Sequence, residues 1–223
     1  MGEIKHFCSL GTICHTARMM QRVHVKKVSY PFDWIFTDDE IIIDILNDDF
    51  NKFLDKSYYT EVKNKYSERT CGHTFYHEDF FFHKNPRNEE DYLYYQRCVE
   101  RFRNLCSDGQ SKLFIMMFSP ESTNHPTYMG EKFKNGIDKE VIIQELKQRG
   151  RKLNEVLRTK TSNYKLLIVM NFGNNPSQSF NMEWEGNLHF LTLNTLSHSG
   201  GVTFNDNMDN LFYSGIISEH YFR

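Results

Sequence analysis

Two apolar runs, KLFIMMF at 112–118 and KLLIVMNF at 165–172, constrain this chain most. A strand with one wet face alternates apolar and polar residues; these runs do not, so they predict strands buried on both faces. A third strand-like segment, NLHFLTLN, occupies 187–194. Between the first two lies a charged amphipathic stretch, 137–158, with helical spacing. The order strand, helix, strand, loop, strand predicts a central, mainly parallel sheet with helices on both faces, a three-layer Rossmann-like α/β fold.

The N-terminal part agrees with this reading. Residues 4–9, IKHFCS, read as a strand; Gly11 gives a turn; Thr12 is placed to cap a helix over 13–23. Asp38 and Asp39 precede IIIDIL, predicting a helix over 39–48 with acids at its positive end. Asn88 opens a helical stretch over 88–107. The aromatic segment TFYHEDFFF, 74–82, reads as a strand, and 119–136 as a loop. With 223 residues and no repeat, one domain over 1–223 is expected.

Composition narrows the function classes. The 27 basic and 29 acidic residues nearly balance, so no basic field points to nucleic acid. No run approaches the ~18 apolar residues that span a bilayer. The five cysteines are irregularly spaced, and no Cys/His grouping matches a zinc motif. Neither a metal nor a cofactor is expected. With no signal-peptide pattern, the free thiols suggest a reducing, cytoplasmic setting.

In parallel sheets ligands gather beyond the carboxyl ends of the strands. The turn Ser9-Leu10-Gly11-Thr12-Ile13-Cys14 lies there. A cysteine at a helix start is placed for thiolate chemistry; equally, cysteine is a common core residue. The same turn has hydroxyls on Ser9 and Thr12 and free N–H groups after Gly11, which suit an anion. Arg18 and Arg22 share the next helix face and are candidates for an anionic group. Asp33, beside Trp34, is either a buried cap or a ligand-facing acid. His73, His77 and His83 cluster, and spacing selects no metal among them. His198 sits just past a predicted strand, followed by Asn205 and Asp206. Chain order thus offers Cys14 as nucleophile, His198 as base and Asp206 or Asn205 as orienter, with His77 as the rival base.

The pattern Ser9-Leu10-Gly11-x-x-Cys14-x-x-Ala17, followed by Ser29-Tyr30-Pro31-Phe32-Asp33-Trp34, resembles the opening of the DUF1796 family of bacteria, algae and large DNA viruses. Arg97 and Glu100-Arg101-Phe102, followed by KLFIMMF, resemble the middle of that family. The resemblance covers the first half well and the rest loosely. It implies papain-like cysteine peptidase chemistry with a nucleophile at Cys14, a viral source among others, and an α+β papain-like fold as the alternative architecture.

Two functions follow as expectations. The first is a cysteine hydrolase or acyltransferase acting through Cys14 on a peptide or small acyl substrate. The second is a glycosyltransferase: a nucleotide sugar seated at residues 9–14, with Asp33 or His77 as base and Trp34 stacking on a glycan. A non-enzymatic binding module is a third reading.

Overall fold

The computed structural model describes residues 3–64, 67–120 and 137–222. Five strands form the central sheet: β1 (His6–Ser9), β4 (Lys112–Phe118), β5 (Tyr164–Phe172), β6 (Ser179–Glu185) and β7 (Leu188–Asn194), in the order β1-β4-β5-β7-β6. All neighbours are parallel except β6, which runs antiparallel to β7. The mainly parallel α/β expectation is met, and the α+β alternative is not. A separate two-stranded hairpin, β2 (Tyr59–Asn64) and β3 (Ser67–His73), lies beside it.

Helices cover both faces, which is why the middle strands carry no polar side. On one face Phe114, Met116, Ile168, Met170 and Phe190 meet α2 (Asp39–Asn47), α4 (Glu89–Ser107) and α5 (Lys139–Lys160). On the other, Leu113, Ile115, Leu167, Val169 and Leu191 meet α1 (His15–Arg22) and α6 (Asn207–Tyr221). A short helix, α3 (Asn51–Leu54), brings Phe50 and Phe53 into the first core. Asp39 and Arg149, both buried, pair at 2.6 Å and tie α2 to α5.

The caps follow the residue chemistry. Asp38 accepts from the Ile41 N–H at 2.8 Å, and Asn88 accepts from the Asp91 N–H at 2.9 Å, so α2 and α4 start where their sequences place them. Segment 74–82 is not a strand. It is a run of bends and turns after β3, with one isolated bridge between Cys71 and Phe81. Its rings fill a core instead: Phe80 and Phe81 are fully buried against Phe53 and Tyr95. The loop read at 119–136 lies, from 121 onward, outside the described residues. No helix among the described residues is long and apolar enough to cross a membrane.

Candidate active site

The turn after β1 is built by the hydroxyls that looked free for a ligand. Leu10 N–H donates to the Ile115 carbonyl at 2.9 Å, extending the β1–β4 pairing past Ser9. The Ser9 hydroxyl then accepts from the Gly11 N–H at 3.1 Å. Gly11 and Thr12 take left-handed φ values of 78° and 59°. Thr12 is β-branched, so this conformation is strained; its hydroxyl donates to the Met117 carbonyl, which holds it in place. Thr12 therefore anchors the turn to β4 and does not cap α1. A Cβ on Gly11 would sit 2.7 Å from Thr37 Oγ1 and 2.9 Å from the Phe32 carbonyl oxygen. Gly11→Ala is expected to lower stability by about 2–4 kcal/mol, from the φ penalty plus the clash; urea unfolding measures it.

The double left-handed step delivers Cys14 to the N-cap position of α1, with no side-chain cap on the helix. Its thiol lies 3.1 Å from His83 Nε2, a distance at which the S–H donates to an unprotonated ring nitrogen. His83 arrives from the turn-rich segment after β3. Trp34 meets its ring edge-to-face at 6.2 Å and Phe82 at 5.1 Å. Among the described residues no carboxylate bonds to His83; the two aromatic rings flank it instead. His83 is exposed as a residue, yet its Nε2 faces a sulfur whose residue is only 1% exposed.

Electrostatics make this a neutral pair at rest. Burial, then the negative charge of Asp33, push the Cys14 thiol up to about 12, and its own backbone N–H pulls the other way. Burial lowers the His83 pKa below its usual 6.5. Asp33 itself is fully buried and paired with Lys26, whose side chain is also buried, and it accepts from the Tyr30 N–H at 2.8 Å. Its Oδ1 has no hydrogen-bond partner. Lys26 is thus the counter-ion of Asp33.

The other expected site residues lie elsewhere. His198 Nε2 contacts Asn174 Nδ2 at 2.6 Å, and Asp206 is the N-cap of α6, accepting from the Met208 N–H at 2.8 Å. His77 Nε2 is 2.9 Å from the Phe36 carbonyl. Arg18 is exposed and bonds Gln21, and Arg22 bonds Asn207. The three clustered histidines serve three separate tasks, since His73 Nε2 contacts the Lys52 carbonyl. No metal-ligating group of three or more occurs among the described residues. The features that suggested a sugar-nucleotide site, namely the Ser9 and Thr12 hydroxyls, Asp33 and His77, are all engaged inside the fold. Trp34 packs on the ring of His83, the residue that meets the thiol.

His15, next to Cys14, was not singled out by its sequence. It is buried, its Nδ1 lies 2.8 Å from Ser199 Oγ, and Phe204 packs on its ring at 4.4 Å. It joins the start of α1 to the loop after β7. Burial holds its pKa down at about 3. The unfolded chain binds this proton near pH 6.5 and the folded chain does not, so stability is full above that pH and is lost as pH falls towards 3. Each pH unit in that window should cost about 1.4 kcal/mol from this residue. Urea titrations at stepped pH should show that slope, and His15→Gln should flatten it.

A hollow of about 330 Å³ lies away from the thiol, lined by Lys5, His6, Val25, Lys27, Tyr30 and Arg101 among others. Cys14, Trp34 and His83 do not line it.

No curated protein and no solved structure matches the chain. A family model described as "Putative papain-like cysteine peptidase (DUF1796)" matches residues 5–139. That span holds Cys14, Asp33, Trp34 and His83, and leaves His198 and Asp206 outside. By this match over more than half of its length, the chain belongs to the DUF1796 family.

Proposed function

We propose that the protein is a cysteine hydrolase in which Cys14 is the nucleophile and His83 its base, acting on an amide or ester carbonyl of a peptide-like substrate. The observation that carries this reading is the 3.1 Å contact between Cys14 Sγ and His83 Nε2 at the start of a helix.

The chemistry follows from the neutral pair. His83 Nε2 accepts the thiol proton as the sulfur attacks the carbonyl carbon. The negative charge on the carbonyl oxygen meets the uncapped N–H groups in the first turn of α1. His83 then gives its proton to the leaving group, whose bond to carbon breaks, leaving a thioester on Cys14. Water resolves it to the acid with His83 again as base; an amine or alcohol in its place would make the enzyme an acyltransferase. Trp34 and Phe82 fix the ring plane, a role that carboxylates or amides fill in many triads. Because Cys14 is almost fully covered, substrate must displace part of that cover, which includes His83, to reach it.

The test needs no knowledge of the natural substrate. p-Nitrophenyl acetate should give a burst of p-nitrophenol and an acetylated protein, with the acetyl group mapping to the Cys14 peptide by mass spectrometry. Cys14→Ala should remove both. Acetylation spread over other thiols, or unchanged in Cys14→Ala, would refute the assignment.

A further inference from the structure

The far edge of the sheet carries a feature that the site does not use. β6 is an outer strand, and among the described residues its outward backbone edge pairs with nothing. Open edges are usually blunted by proline, lysine or outward charge. SFNMEWE contains neither proline nor lysine. Its two acids are drawn onto α5: Glu183 pairs with Lys147 at 2.8 Å and Glu185 with Arg151 at 2.6 Å.

The opposite face of β6 is apolar and open. Phe180 is 42% exposed and Trp184 57%. Phe180 packs on Phe212 of α6 at 6.0 Å, and Trp184 stacks on His220 at 6.4 Å. On the same helix Met208, four residues before Phe212, is 58% exposed, and Leu211 is 54% exposed. The patch therefore runs from the strand onto the helix that lies over it.

We infer that β6 is the interface of a symmetric dimer, formed by antiparallel pairing with the same strand of a second copy. The strand is complementary to itself in one register. With the two-fold axis at Met182, Phe180 faces the partner's Trp184 and Trp184 faces the partner's Phe180. Aromatic pairs directly opposite are among the favourable cross-strand pairs. On the other face Asn181 meets the partner's Glu183, and Ser179 meets the partner's Glu185. No like charges oppose each other, and all seven residues pair. Shifting the axis to Glu183 would set that carboxylate against its own copy, and shifting it to Asn181 loses the Phe180–Trp184 pairs. An edge that pairs with its own copy gives a dimer and stops there, as isologous contacts do. The two sheets then join into one.

Sedimentation equilibrium of the full chain should show a dimer in the micromolar range. Asn181→Glu places an acid opposite the partner's Glu183 twice over and should weaken the dimer about tenfold or more. Trp184→Lys should weaken it similarly. Asn181→Lys, which puts a cation at the same position, should leave it as tight or tighter. Both positions, Asn181 and Trp184, face solvent, and circular dichroism checks that each of the three variants is folded. A monomer throughout the micromolar range would overturn the proposal. So would a dimer indifferent to Asn181→Glu and Trp184→Lys, because its interface would lie elsewhere. Equal weakening by Asn181→Glu and Asn181→Lys would overturn the register.

Discussion

His83→Ala is expected to slow acylation of Cys14 by p-nitrophenyl acetate by about 10²–10⁴-fold, the usual contribution of a positioned general base. His198→Ala should change it by no more than about twofold. The difference rests on geometry. The thiol pKa is pushed up to about 12, so almost no thiolate exists near neutral pH without a base to take the proton. His83 Nε2 is 3.1 Å away, whereas His198 Nε2 contacts Asn174. A helix N-terminus alone does not activate this sulfur, because burial and the Asp33 charge outweigh it. Stopped-flow release of p-nitrophenol in the two variants gives the comparison directly.

Lys26→Met is expected to destabilise the fold by about 3–5 kcal/mol, the cost of leaving a buried carboxylate without its partner. Asp33 is fully buried and Lys26 nearly so, and they meet between the end of α1 and the segment that carries Trp34. Solvent cannot replace the missing ammonium there. Replacing both groups, Lys26→Met with Asp33→Asn, should recover much of the loss, since a buried pair is often worth little against a neutral one. The double variant has a second consequence: removing the Asp33 charge takes away one of the two influences that raise the Cys14 pKa. Alkylation by iodoacetamide should then follow a lower thiol pKa than in the wild type. Urea unfolding and pH-dependent alkylation measure the two effects.

The layers of this fold were legible because burial on both faces leaves a plain mark. KLFIMMF is β4 with the same ends, and Asp38 and Asn88 cap their helices as their chemistry requires. The β2–β3 hairpin was not legible. The rings of 74–82 imitate a strand, yet they fill a core from an irregular segment, because ring packing needs no regular backbone. Helix α6 also escaped notice. Its Asn207, Asn210, Ser214, Gly215 and Ser218 favour helix weakly, and packing of Tyr213, Ile216 and Ile217 on the sheet forms it. At the site, the position of Cys14 could be read from the Gly11 turn, but its partner could not. Chain order favoured His198, which lies past the last parallel strand. His83 carries no spacing signal, since the ten residues after β3 that bring it to the start of α1 form no helix or strand. Its one available clue was proximity to the motif-bearing half of the chain.

The pH dependence of acylation tests the central claim most directly. A neutral Cys14–His83 pair works only while His83 is unprotonated, so the wild-type rate should fall on the acid side with a midpoint below 6.5. His83→Ala should lose that acid limb along with most of the rate, and added imidazole should restore part of the rate with the pKa of free imidazole. An acid limb that survives in His83→Ala, with a rate close to wild type, would contradict the assignment of His83 as the base of Cys14.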